Sequence, residues 1–244
     1  MSWRAAVLVL CAPALAVGQC KGTLYLTIDT GSMAQAENIA RILNKHDVRA
    51  TFFLANERAV EGGTSLGAAW VPYWKARVAE GHAFGSHTWD HTYWKGDLPD
   101  GRVRVRPQFG ADAGKSFAWD RAQFCAELDR VKDWFKAATG AELAPLWRAP
   151  GGHVSERTLQ WGRACGYTHV GWSAAGFLGD ELPSDKYPND VLVRRALASL
   201  KDGDILMMHT GIWSRKEPFA PMLDPLVAGL KARGFCFSTL AGRA

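Results

Sequence analysis

The chain has 244 residues, 48% hydrophobic and 22% charged, with 25 Gly and 11 Pro, which excludes wholesale disorder, collagen-like repeats and a coiled coil. Such a length holds one large domain or two small ones, and it buries a sizeable core without metal or disulfide staples. A formal net charge of +5 favours anionic partners, but the basic residues form no long block and nothing in them demands nucleic acid.

In chain order, the N-terminus reads as an export signal. Arg4 supplies a positive charge, residues 5–17 an apolar run, and Ala14-Leu15-Ala16 or Ala16-Val17-Gly18 a small-residue cleavage site. The run is shorter than the roughly 20 residues of a membrane-spanning helix, and no other stretch approaches that length. Residues 1–18 are therefore expected to be a signal peptide. Residues 19–244 are expected to be one exported, monomeric domain, periplasmic or extracellular, without stable membrane insertion. The segment left after cleavage keeps Cys20, Cys125, Cys165 and Cys236, an even number with three possible connectivities. An oxidising compartment permits bridges. Cys20 precedes the first expected strand and Cys236 lies in the last, so a closing barrel would bring them together; four buried free thiols are the alternative. No C-x-x-C occurs.

From residue 23 onward, strand and helix signals alternate. Residues 23–29 (TLYLTID) are a β-branched and aromatic run between Gly22 and Gly31. Ser32 with Gln35 fits a capping box for a helix whose apolar face is Ile39, Ile42 and Leu43. Strands follow at 50–54 and 82–86, separated by a helix at 68–79. Residues 95–118, rich in Gly and carrying Arg102, Arg104 and Arg106, read as a long surface loop or a hairpin over the site. Asp120 caps a helix with the stripe Phe124, Leu128, Val131 and Phe135, ended by Gly140. Then come a strand at 146–148, a helix at 155–165, a strand at 167–173 and an irregular stretch to 189. A helix at 190–200, a strand at 204–209, a helix at 221–233 and a strand at 235–240 complete the chain. About seven strands separated by helices argue a parallel sheet, doubly wound or closed as a barrel. In both, reactive residues gather at the C-terminal ends of strands. Those ends carry Asp29, His87, Arg148 and His209.

Each of these residue types suits a step of amide hydrolysis. His87 and His91 stand i, i+4, the spacing that puts two imidazoles on one face of a helical turn within about 2.0–2.1 Å of a zinc ion. Asp29 is placed to act as general base on a metal-bound water. His209 would protonate the departing amine, Arg148 would hold Asp29 through a bidentate pair, and Gly151 and Gly152 would offer N–H groups to an oxyanion. Of the 11 Trp, Trp89 and Trp94 flank the histidine loop, and Trp172 and Trp213 lie near later strand ends. Trp213 and Trp89 are the candidates for contacting a substrate through an indole face. The arginines at 102, 104 and 106 suit a solvated loop face or an anionic glycan.

The succession LTID, SHTWDH, WRAPGG, VGWS and DILMMH resembles the polysaccharide deacetylases of carbohydrate esterase family four, over roughly residues 24–240. That resemblance implies an α/β fold, a distorted (β/α) barrel of about seven parallel strands, and metal-dependent removal of acetyl groups from sugar polymers. It implies Zn2+ or another divalent metal on His87 and His91, with Asp29 as base, Arg148 orienting it, His209 as acid and Gly151 at the oxyanion. Two positions depart from the family pattern. Thr30 stands where a second aspartate ligates the metal, so Asp29 itself, Asp90 or Asp180 would have to ligate, or the chain is a weak metal binder. After Trp172-Ser173, the family's D-x-x-D-W stretch reads AAGFLGD, without the carboxylate that supports the arginine. The alternatives to a deacetylase are a catalytically degenerate glycan-binding protein and an amide hydrolase acting on a non-sugar substrate.

Overall fold

The structure, a computed structural model, describes residues 20–243; the expected signal peptide lies outside the described residues. Seven strands form one parallel sheet: β1 (Gly22–Asp29), β2 (Thr51–Leu54), β3 (Ala83–Ser86), β7 (Leu146–Trp147), β8 (Thr168–His169), β9 (Ile205–His209) and β10 (Phe235–Phe237). Their order is β8-β7-β3-β2-β1-β9, with β10 pairing the first residues of β1. Helices α1 (Ala36–Lys45), α2 (Val71–Ala79), α3 (Arg121–Thr139), α4 (Glu156–Ala164), α5 (Asn189–Ser199) and α6 (Leu223–Ala232) cover its outer face. This is the distorted (β/α) barrel that the family resemblance implies, and it settles the choice that the alternation of signals left between a doubly wound sheet and a barrel. The curl is incomplete: β8 and β9 form no ladder, and a single bridge from Phe177 to Met207 lies between them.

Side-chain alternation decides what faces the barrel interior. Along β1, Leu24, Leu26 and Ile28 enter the main core beneath the helices, with Phe52, Leu54, Leu206 and Met208 from the neighbouring strands. Thr27 and Asp29 therefore share the opposite, inward face. The ladder registers Asp29 against Phe53 of β2 and against His209 of β9, so two chemically active strand ends stand level. A smaller cluster of Phe124, Leu128, Trp147, Ala149 and Tyr167 anchors α3 under β7.

Three details differ from the sequence expectation. The first helix begins at Ala36 and has no side-chain cap; Ser32 is instead buried, its N–H donating to the Gly211 carbonyl. The strand expected at 167–173 stops at His169, because the Val170 and Gly171 carbonyls turn inward to Arg148. The segment expected as a loop or hairpin builds a three-stranded antiparallel sheet of β4 (Tyr93–Asp97), β5 (Val103–Arg106) and β6 (Phe117–Trp119). Its arginines alternate outward while Val103 and Val105 are buried. Disulfides join Cys20 to Cys236 and Cys125 to Cys165, the first tying the start of β1 to β10. Among the described residues no helix is long and apolar enough to cross a membrane.

Candidate active site

Asp29, His87, His91, Tyr93, Gly151, Trp172, Glu181, Met207 and His209 line a cleft at the C-terminal ends of the strands. Arg148 lies fully buried beneath it, over the Phe53 ring at 4.3 Å and under Trp172 at 5.6 Å. Its Nη1 donates to Asp29 Oδ1 and to Thr27 Oγ1, both at 2.8 Å, so the pair is monodentate rather than bidentate. Nε and Nη2 donate to the carbonyls of Val170 at 3.1 Å and Gly171 at 2.9 Å. Backbone oxygens thus do the work for which the sequence offered no carboxylate after Trp172, and the guanidinium is fixed without one.

Asp29 is 2% exposed. Burial alone would push its carboxyl up, but the charges of Arg148, His87 and His209 and the arginine hydrogen bond outweigh it and hold the group below the ordinary carboxylate range. Asp29 is therefore an anion with Oδ2 3.7 Å from His87 Nε2. His87 Nδ1 lies 3.0 Å from the Arg148 carbonyl, which only accepts, so Nδ1 carries the hydrogen. Burial depresses its pKa and keeps the ring neutral, leaving a lone pair on Nε2.

His91 meets His87 edge to face, ring centres 4.9 Å apart, but not through a helical turn. Residues 87–92 form a loop in which Thr88 (φ 61°) and His91 (φ 48°) are left-handed. Such backbone costs on the order of 1–3 kcal/mol per residue and persists only where the surroundings enforce it. The Thr88 hydroxyl does so by accepting the Thr92 N–H at 2.7 Å. Burial depresses the His91 pKa strongly, and its buried Nδ1 has no partner within the protein. Two imidazole lone pairs with no protein donor facing them fit a soft divalent cation such as zinc. Among the described residues, no three His, Cys, Asp or Glu side chains already stand as a metal cage.

His209 comes up on β9 opposite Asp29. Its N–H donates to Asp180 Oδ2 at 2.7 Å, its Nδ1 lies 3.2 Å from both Asp180 oxygens, and Nε2 is 3.8 Å from Glu181. Burial opposes charging the ring, but Asp180, Asp29 and Glu181 together push its pKa up to about 10. At neutral pH it is an imidazolium with its Nε2 proton toward the cleft. Asp180 is thereby engaged with His209, and Asp90 with Arg130 at 3.1 Å.

Gly151 forms part of the cleft wall at φ +67°; a Cβ there would meet Tyr93 Cε1 at 2.8 Å. Its neighbour Gly152 spends its N–H on the Ala149 carbonyl, which leaves Gly151 as the better placed of the two glycines. Trp213 is 51% exposed on the loop after β9, with the Arg58 guanidinium 4.4 Å from its ring. Trp89 is not brought into the cleft: it packs on the main core with Arg130 over its outer face at 4.9 Å. Two residues that line the cleft, Tyr93 and Glu181, escaped the sequence reading, as did Glu57, which is buried and does not line it. Burial pushes the Glu57 carboxyl up to about 7, against a hydrogen bond from Thr30 and attraction to His209, with the Asp29 charge adding to the rise. The signal that could have found it is the one that found Asp29, a carboxylate just past a strand end.

A parallel barrel whose mouth sets an arginine-held carboxylate beside paired imidazoles, and a carboxylate-backed imidazolium opposite, defines a hydrolase-type site. The sequence profile of the polysaccharide deacetylase family matches residues 16–170, and the chain belongs to that family. It is 30% identical over 223 residues to an uncharacterized 30.6 kDa protein of Geobacillus stearothermophilus, covering 90% of this chain and 70% of that one. It is 23% identical to a peptidoglycan-N-acetylglucosamine deacetylase of Bacillus cereus, covering 90% of this chain and 67% of the relative. The fold also matches a carbohydrate esterase family 4 pseudoenzyme from Bacillus anthracis, with TM-score 0.66 and 19% identity over 91% of this chain and 65% of that one.

Proposed function

We propose that the protein is a metal-dependent hydrolase that removes acetyl groups from N-acetylated sugars of a polysaccharide, chitin-like or peptidoglycan, outside the cytoplasm. The observation that carries this reading is the pairing of an ionised Asp29, pinned by Arg148 next to His87, with a protonated His209 facing it across one cleft. His87 and His91 would hold the cation, through the nitrogens that no protein group uses. A bound divalent ion supplies Lewis acidity, which polarises the acetyl carbonyl and acidifies water.

The chain's own groups do the rest. Asp29 accepts a proton from the attacking water, and Arg148 keeps its carboxylate aimed and charged. The Gly151 N–H donates to the oxygen that gains charge. His209 delivers its Nε2 proton to the departing amine, which is a poor leaving group until protonated, and Asp180 holds the ring at the correct tautomer. Trp213, exposed on the loop four residues after His209, would offer its indole to a neighbouring sugar ring. Two disulfides support an oxidising destination, in keeping with the export signal read at the N-terminus.

Of the two sequence departures that favoured a degenerate glycan binder, the one after Trp172 is met by the Val170 and Gly171 carbonyls. The test is acetate release from N-acetylated chitooligosaccharides and from peptidoglycan, with zinc titrated into the same protein. Wild type should release acetate, and His87→Ala should lose both zinc uptake and activity. Full activity in His87→Ala refutes the metal mechanism.

A further inference from the structure

A catalytic zinc keeps three protein ligands and leaves one position for water, and His87 with His91 accounts for two. The carboxylates around the cleft are nearly all engaged. Arg148 holds Asp29, Asp180 serves the N–H and ring of His209, and Glu181 is about half exposed beside the same imidazole. Glu57 is different. It follows β2 by three residues, is 6% exposed, and its Oε1 is, among the described residues, the one buried carboxylate oxygen without a partner. Thr30, beside Asp29, accepts the Ala55 N–H at 2.9 Å and turns its hydroxyl proton to the Glu57 carboxylate. The charges of Asp29 and His209 reach Glu57, and its own reaches Tyr93; all three of these residues line the cleft. A buried carboxylate oxygen left unpaired carries its full desolvation cost, so its presence under a cleft with two unclaimed imidazole nitrogens calls for a partner.

We propose that Glu57 is the acidic ligand of the metal seat, completing with His87 and His91 a set of two imidazoles and one carboxylate for a zinc-like divalent cation. The inference rests on the reading that the histidines hold a metal. Glu57, held by the Thr30 hydroxyl next to Asp29, would supply this carboxylate from the neighbouring strand end. The threonine beside Asp29 then marks a relocated acid rather than a lost one.

The experiment titrates the metal-free full-length chain with Co2+, followed by its visible absorption, and with Zn2+ by calorimetry. Wild type is expected to bind one equivalent. Glu57→Gln, which removes the charge and keeps the shape, should bind at least about 10-fold more weakly, the lower end of what even an outer partner of a metal ligand is worth. Glu57→Asp should fall between the two, and adding Thr30→Asp to Glu57→Gln should recover affinity. Unfolding of the metal-free variants by denaturant shows that they remain folded. Wild-type affinity and an unchanged cobalt spectrum in Glu57→Gln would overturn the proposal while leaving the histidine seat standing. If His87→Ala binds as wild type does, the histidine seat itself falls, and the assignment of Glu57 falls with it.

Discussion

Replacing Asp180 by asparagine isolates the device that keeps His209 charged. The substitution preserves an oxygen for the His209 N–H and the side-chain volume, and removes one negative charge 3.2 Å from Nδ1. In the native protein the ring is pushed up from 6.5 to about 10, a preference for the protonated form worth roughly 5 kcal/mol. Asp180 is the largest contributor to the rise, ahead of Asp29 and Glu181. An opposite charge at this range is worth about 1–3 pKa units, so the variant's His209 should titrate lower by that amount. Two readouts follow. The His209 ring proton resonance should titrate at correspondingly lower pH, and the alkaline limb of the acetate-release profile should move with it. Stability gives the thermodynamic sign. A folded pKa above the unfolded value contributes stability that is complete below about 6.5 and disappears as pH rises through about 10. The stability difference between wild type and Asp180→Asn, measured with urea, should therefore be largest near pH 6 and shrink toward pH 10. A variant whose His209 still titrates near 10, or a stability difference constant across that range, refutes this account of the acid.

Three further outcomes are expected. Arg148→Met leaves Asp29 buried without its counter-charge and should destabilise the fold by about 3–5 kcal/mol in chemical denaturation, with activity lost. Opening the Cys125–Cys165 bridge by a double serine substitution frees a 40-residue loop and should cost about 4 kcal/mol in the chain-entropy picture, read from urea midpoints of the two oxidised proteins. Trp213→Ala should leave the unfolding midpoint unchanged, since the ring is half exposed. It should raise KM for an oligosaccharide through loss of roughly 0.5–1.5 kcal/mol of stacking, with KM for a single acetylated sugar unaffected.

How far the sequence reaches into this site follows from where each group's position is decided. Asp29 and His209 were legible because alternation in a strand is local: Leu26 and Ile28 facing the helices oblige Thr27 and Asp29 to face inward, and Leu206 and Met208 do the same for Met207 and His209. The paired histidines were legible as a spacing, yet the geometry that joins them is a loop with two left-handed residues, a conformation that the letters T and H do not announce. Asp180 and Glu181 come from an irregular stretch without periodicity, so only tertiary contact reveals that they serve His209. The cradle of Arg148 is invisible in sequence for another reason. A carbonyl carries no residue signature, so a carboxylate replaced by the backbone of Val170 and Gly171 reads as a missing partner. Thr30 misleads in the same way. Judged by its own position it is a lost ligand; judged by the space around it, it is the donor to a buried glutamate from the next strand end. Both apparent defects arise from asking a position to supply a chemical group, when the physical requirement is that the group be present at a point in space. Chain connectivity allows a neighbouring strand end to meet that requirement.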